Sequence, residues 1–366
     1  MQALKIGKYL WKIKRKLKQK HISFETGYHD CPPPGIFIDI SSYCNLSCKM
    51  CPYLKVHETP TNMSMETFKK LLPEIEKIDH ISIVGAGEPT INKNLIPFIK
   101  FAQEANPNVR VDLTTNGTLI TEYLCNELID LKLRRVVFSI DGANAQTVES
   151  IRLGVNFSKV IANIQLLHRL KEKKRSSSPI IRANFMVGYG NYKYLADFVI
   201  LADETGINEI HFMEIQASNY DDYRDNLLNG IAKDEGKVLK EAINIAKEKG
   251  IKLSLPIMHE TVCHAPYVPH ISEEGEVFPC CYYAHHRKLY SDGKEILLPS
   301  LSLGNTNRDG FRSIWNSRDY KQLRKDCDTG NFNEFCDACY KARLPTSEKI
   351  KKVLTDVGAD PSEYGI

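Results

Sequence analysis

Long apolar runs are missing from this chain of 366 residues: none approaches the roughly 20 residues that cross a bilayer as a helix, which excludes a helical membrane span. An apolar signal segment is missing too, so the 11 cysteines do not read as the disulfide frame of a secreted protein. No internal repeat is visible, which sets aside solenoid and propeller architectures. Net charge is small, +4 from 49 basic and 45 acidic residues. Nucleic-acid binding is not expected, because the basic excess is confined to the first 20 residues. What is present is the composition of a globular protein, 42% apolar and 26% charged, long enough for one large core and a small further domain. Clustered cysteines in such a chain suit metal sites in a reducing cytosol, so a cytoplasmic protein is expected.

A different shortage is more informative. Cys44, Cys48 and Cys51 form a C-x3-C-x2-C run, and no fourth cysteine lies near them. Tetrahedral zinc is usually closed by four Cys or His ligands, and His57 is the only close candidate for the fourth. A [4Fe–4S] cubane takes one ligand per iron, so three thiolates leave one iron open to a small molecule that can be bound and reduced there. On this spacing alone both readings, and coincidence, stay open.

Other short motifs follow in order. Gly85, Gly87 and Glu88, in G-A-G-E-P, follow the apolar run 81–84. Asn116, in T-T-N-G-T, closes a strand-like run at 109–113, and V-V-F-S-I-D-G at 136–142 carries Ser139 and Asp141. Arg152 comes next, a guanidinium able to hold a carboxylate through two parallel hydrogen bonds. Each motif alone is ordinary turn chemistry. Colinear with the three cysteines, they resemble the radical S-adenosylmethionine (radical SAM) superfamily.

That resemblance implies a [4Fe–4S] cluster on Cys44, Cys48 and Cys51 whose open iron chelates SAM. Reductive cleavage of SAM then yields a 5′-deoxyadenosyl radical that abstracts a substrate hydrogen. It also implies that Gly85, Gly87, Glu88, Asn116, Ser139, Asp141 and Arg152 contact SAM. Members usually carry an aromatic residue before the third cysteine; Met50 stands there in this chain and can pack on an adenine face. Ala86 likewise replaces a glycine.

Periodicity gives the architecture. Strand-like runs at 35–40, 80–84, 109–113, 135–140, 180–187 and 209–215 alternate with helical patterns at 65–75, 94–103, 121–131, 158–171 and 192–205. The order is that of an α/β protein with a parallel sheet, matching the partial (β/α)6 TIM-like barrel of the family. A helix at 233–248 and a strand at 252–255 close this part. The expected organisation is a basic arm at 1–30, the barrel at 31–258, a cysteine-bearing domain at 259–345 and a tail at 346–366.

In that third segment Cys263 is followed by eleven residues, Gly275, four residues and Cys280, and Cys336-x2-Cys339 comes later. The stretch 270–278 reads as a β-hairpin with Gly275 in its turn, which would bring Cys263 and Cys280 close. The pattern resembles the SPASM or Twitch extension and implies one auxiliary [4Fe–4S] cluster on Cys263, Cys280, Cys336 and Cys339. A zinc ribbon is the alternative. Cys281 and Cys327 are alternates for these ligands, and Cys281 is also a candidate hydrogen donor. Cys31 and Cys125 read as ordinary side chains.

The expected activity is a net oxidation, dehydrogenation or bond formation, with the auxiliary cluster accepting an electron. Redox-neutral epimerisation or peptide maturation with a cysteine hydrogen donor is the alternative; a non-catalytic electron carrier would need no SAM motifs. An electron donor such as ferredoxin or flavodoxin is implied. Only about thirty residues precede the first strand, too few for a leader-binding domain. That favours a small or lipid-linked substrate over a peptide. Residues 1–20 hold eight Lys or Arg and no acid, with Ile6, Leu10, Ile13 and Leu17 at helical spacing beside Trp11. Such a basic amphipathic helix suits an anionic membrane surface, placing the protein peripherally on it, or else caps the barrel. Deleting residues 1–20 is expected to abolish co-sedimentation with anionic liposomes while SAM cleavage persists. Unchanged sedimentation rejects the membrane role.

Overall fold

The computed structural model describes residues 32–51, 59–188, 190–215, 231, 233–257, 263, 265–284, 287–291 and 294–364. The basic arm, Cys31 and His57 lie outside the described residues. The first half alternates strands and helices: β1 (Gly35–Asp39), α1 (Met65–Lys69), α2 (Leu72–Ile75), β2 (His80–Val84), α3 (Leu95–Ala105), β3 (Arg110–Thr115), α4 (Glu122–Asp130) and β4 (Arg135–Ser139). Next come α5 (Ala145–Ile151), α6 (Phe157–Lys174), β5 (Ile180–Val187), α7 (Leu195–Thr205), β6 (Glu209–Glu214), α8 (Lys237–Lys249) and β7 (Lys252–Ser254). The remainder is β8 (His270–Ile271), β9 (Val277–Phe278), β10 (Arg287–Ser291), β11 (Lys294–Leu298), α9 (Phe311–Trp315), α10 (Arg318–Thr329) and α11 (Glu334–Asp356).

Strands β1 to β7 are parallel neighbours in chain order, in a nine-stranded sheet ordered β7-β6-β5-β4-β3-β2-β1-β8-β9. The α/β class and the six consecutive β/α units match the expectation. Every second strand residue faces the helices and is buried, among them Ile81, Ile83, Val111, Leu113, Val136, Phe138, Ile181, Phe185, Ile210 and Phe212. Phe98, Leu128, Ile164, Phe198 and Ile243 of the helices pack in the same core. Burying a side chain of this size contributes roughly 1.5–3 kcal/mol, so these two periodicities fix the layering.

Helix starts follow side-chain capping. Ser64, Thr121, Asn144 and Asn156 each accept from the backbone N–H three residues on. The expected helix at 65–75 is split in two because Pro73, in the first turn of α2, has no N–H to continue the ladder from α1. The hairpin expected at 270–278 forms, with His270 opposite Phe278 and Gly275 at φ +86°. Its first strand also pairs in parallel with β1, Phe37 opposite His270. The segment that bears the second set of cysteines thus extends the sheet of the first. Asp39 and His270, both buried, close this joint with an Oδ2–Nε2 contact of 2.7 Å.

Residues 346–364, within the segment read above as a tail, fold. The sequence reading missed that Thr346, Ser347, Ile350, Val353 and Leu354 form a buried stripe at helical spacing. They lie in α11, which runs on through Pro345 to Asp356, and Tyr364 accepts a hydrogen bond from Leu255 N at 2.7 Å.

The sheet face turned away from the helices carries charge near its N-terminal edge. Asp112 holds Arg134 (Nε–Oδ1 2.7 Å), Arg135 (3.6 Å) and His80 (3.2 Å), while Arg135 Nε lies 2.9 Å from Glu209. Burial by itself would raise the Asp112 carboxyl, but hydrogen bonds and charge from Arg134 and His80 bring it down to about 2. A carboxylate depressed in the folded state stabilises above its unfolded value, and that contribution is lost as pH falls through the folded value. Asp112→Asn is expected to cost about 2–4 kcal/mol at pH 7, since it leaves two guanidiniums short of a partner. In denaturant titrations the deficit should shrink as pH falls from about 4 to about 2. A deficit independent of pH would assign it to packing alone.

Candidate active site

The loop leaving β1 carries Cys44, Cys48 and Cys51, all half-buried. It makes little structure of its own beyond a turn closed by Cys51 N to Cys48 O at 3.1 Å. Its backbone is held instead by neighbouring strand-end loops. Gly87 N donates to Ser41 O (2.9 Å), Glu88 N to Tyr43 O (2.7 Å), Ser47 N to Leu153 O and Lys49 N to Ile151 O (both 2.9 Å). Asn45, between the first two cysteines, donates to Thr118 Oγ1 (2.8 Å) and accepts from Asn116 Nδ2 (2.9 Å). The motifs at 85–89 and 114–118 and the stretch around Arg152 therefore meet the cysteine loop in space.

Each motif residue has a visible local task. A Cβ on Gly87 would sit 2.1 Å from Tyr43 O, and one on Gly85 2.4 Å from Gly87 O, so only glycine permits this approach. Ala86 is buried. Glu88 is buried; its Oε1 accepts from Thr90 N (3.1 Å), Thr90 Oγ1 (2.6 Å) and Thr115 Oγ1 (2.7 Å), and Oε2 from Asn116 N (2.7 Å). This carboxylate braces the β2 loop against the end of β3. Ser139 ends β4, partly exposed, and Met50 sits between the last two cysteines, also partly exposed.

Asp141 departs from its expected place. Its side chain is fully buried, accepting from Met186 N (2.7 Å) and paired with Arg152 Nε at 2.7 Å. Its carboxylate is wholly buried and orients Arg152. Arg152 Nη1 lies 4.0 Å from Cys48 Sγ. Burial pushes the Cys48 thiol up to about 11 although Arg152 works against it, and burial also raises Cys44. A metal binding here must displace those protons, which couples its affinity to pH.

The second cysteine group assembles from four places. Cys263 N donates to Cys327 O at 3.2 Å, and the Cys327 thiol is hydrogen-bonded with Cys263 and Cys336. Cys336 and Cys339 lie one turn apart on α11, and Tyr283 Oη is 3.5 Å from Cys336 Sγ. Cys280, after the hairpin, is raised by burial and feels Cys281 and Cys339. The four expected ligands share one neighbourhood, together with Cys327, buried, and Cys281, exposed. Cys125 is a core side chain of α4.

Among the described residues, no three His, Cys, Asp or Glu side chains converge on one point as a single metal ion requires. A cubane instead spreads its thiolates around four irons. The donor chemistry fits such clusters: thiols alone, in two partly buried groups, the first with a guanidinium alongside. Asn45, Thr118 and the Asp141–Arg152 anchor escaped the sequence reading, although Asn45 stands inside the three-cysteine run. Replacing Cys44, Cys48 and Cys51 together by Ala is expected to lower iron by roughly four atoms per chain after anaerobic reconstitution, from a total of roughly eight. Zinc in place of iron at either group overturns that assignment.

Comparison with known proteins agrees. Residues 38–193 match the Radical SAM superfamily, and residues 263–340 match SPASM, an iron–sulfur cluster-binding domain. The chain is 27% identical over 301 residues to the tungsten-containing aldehyde ferredoxin oxidoreductase cofactor-modifying protein of Pyrococcus furiosus, covering 79% of this chain and 82% of that one. It is 25% identical over 342 residues to the AdoMet-dependent heme synthase of Methanosarcina barkeri, covering 84% and 91%. In fold it resembles anSMEcpe with bound AdoMet, with a TM-score of 0.66 at 18% identity over 88% of this chain and 93% of that one. Streptococcus suis SuiB bound to precursor peptide SuiA gives a TM-score of 0.62 at 15% identity, covering 90% and 73%. Three thiols pinned at the strand ends, a second thiol group on the extended sheet and both matches lead to one conclusion: the chain carries a radical SAM superfamily domain at residues 38–193, followed by a SPASM iron–sulfur cluster-binding domain at residues 263–340.

Proposed function

We propose that this enzyme oxidises its substrate by two electrons, taking one as a hydrogen atom and passing the second to the auxiliary site. When bound, SAM and its cluster supply a 5′-deoxyadenosyl radical that removes the hydrogen. Cys44, Cys48 and Cys51 would hold that cluster, and Arg152, fixed by Asp141, would take the SAM carboxylate. Gly85, Gly87, Glu88, Asn116 and Ser139 would shape the rest of the SAM site, with Met50 against the adenine. The observation that carries the oxidative reading is the convergence of Cys263, Cys280, Cys336 and Cys339, with Cys327 against them. Four protein thiolates complete a cubane and leave no iron for substrate, which suits electron acceptance.

Redox-neutral chemistry is the second reading. Cys281 is exposed beside Cys280, as a thiol returning hydrogen to a substrate radical would need to be. The Pyrococcus relative, a cofactor-modifying protein, favours a small-molecule substrate; SuiB, solved with its precursor peptide, keeps a peptide in view. A ferredoxin or flavodoxin would supply the reducing electron in the cytoplasm.

Turnover in deuterated buffer separates the two readings. Oxidation should give a product two hydrogens lighter with no carbon-bound deuterium from solvent. One deuterium on carbon, lost in Cys281→Ala, would establish the redox-neutral reaction instead.

A further inference from the structure

The inner sheet face holds more buried positive charge than its acids neutralise. Asp112 and Glu209 are already engaged by Arg134 and Arg135. Arg182, next in the same row and opposite Glu209 in the β5–β6 register, has its Nε buried without a hydrogen-bond partner. His211, one layer further along β6 and opposite Asn184, has a buried Nε2 that also lacks a partner. Arg343 of α11 lies four residues beyond Cys339, one helical turn, and is felt at His211 together with Arg182 and Arg135.

The helix that carries Arg343 is docked at this place by Thr346, whose hydroxyl donates to Glu214 at the end of β6. Arg343 is felt by Tyr282, by the thiols of Cys339 and Cys263 and by Glu214, which together hold it charged; burial keeps the Glu214 carboxyl up to about 7, so that acid offsets the guanidinium only in part, and the cation left with least compensation is Arg182. Burial and the three arginines push the His211 imidazole down to about 3. Burying cations without a counter-charge is costly, and such groups persist where a ligand supplies the missing charge.

We propose that Arg182, His211 and Arg343 form an oxyanion subsite, which receives a phosphate or carboxylate group of the substrate. The proposal rests on the radical enzyme reading only in calling that anion part of the substrate. The His211 layer lies three residues from the end of β6, about 10 Å at the usual rise. The SAM motifs stand at the strand ends, so the anionic group is a handle several bonds removed from the carbon that loses hydrogen. Guanidinium forks take either oxyanion through charge-assisted hydrogen bonds.

The test uses the full-length, cluster-loaded protein, without turnover, in sodium phosphate, sodium succinate or sodium chloride at equal ionic strength. Phosphate, succinate or both should raise the thermal midpoint above that in chloride. Calorimetric titration should show affinity falling about tenfold or more in Arg182→Gln and in Arg343→Gln, with a loss also in His211→Gln. Arg110→Gln, at the exposed start of β3, should bind as the wild type does. A response to phosphate alone assigns a phosphoryl handle, and to succinate alone a carboxylate. With no anion present, Arg182→Gln should unfold at an equal or higher temperature, because it removes an uncompensated buried cation. No response to either anion, or a response undiminished in the His211 and Arg343 variants, overturns the subsite. SAM cleavage measured on the same wild-type preparation reports separately on the enzymatic reading.

Discussion

A loop presenting three thiols to one cluster cannot also bury its backbone in a helix or a ladder, so its polar groups must be satisfied by other parts of the chain. Here the strand-end loops of β2 and β3 and the end of α5 supply the partners, through Gly87, Glu88, Asn116, Thr118, Ile151 and Leu153. The rest of the site depends on that constraint. Glycine at 87 is required by the contact with Tyr43 O, and Glu88 is immobilised by four donors, because the braces themselves must be rigid. A parallel sheet delivers such loops to one edge, which is where α/β folds concentrate chemistry.

Charge inside the fold is handled in two ways. Where it serves structure it is paired: Asp112 with Arg134, Asp141 with Arg152, Asp39 with His270. The last two pairs also connect regions, one tying the loop after β4 to the end of α5 and the other tying the hairpin to β1. Where charge is left over, at Arg182 beside the neutral His211, it faces the inner side of the sheet. There the same low dielectric that makes an unpaired cation costly makes an arriving anion bind strongly.

The second thiol group depends on α11. One face of this helix carries Cys336, Cys339, Arg343 and Thr346 at spacings of three and four residues, so cysteines, cation and docking hydroxyl point the same way. The same helix continues into the apolar stripe that packs against α8. Auxiliary site and barrel are thereby held by two joints, this helix and the β8–β1 pairing.

The sequence by itself determined the β/α order, because apolar runs with periods of two and 3.6 specify strands and helices locally. It also determined the two thiol groups and the glycines, since ligand spacing and backbone permissiveness are properties of a few adjacent residues. It did not reveal that Asp141 is spent on Arg152, that Asn45 ties the cysteine loop to Asn116, or that residues 346–356 are helix rather than tail. Nor did it show Cys327 against Cys263, or Arg182, His211 and Arg343 gathered from β5, β6 and α11. Those pairings join residues from about ten to more than a hundred positions apart, set by which strands neighbour one another and where a helix docks. Only the tertiary structure decides them, because the free energy of a buried charge or amide depends on a partner that local sequence does not name.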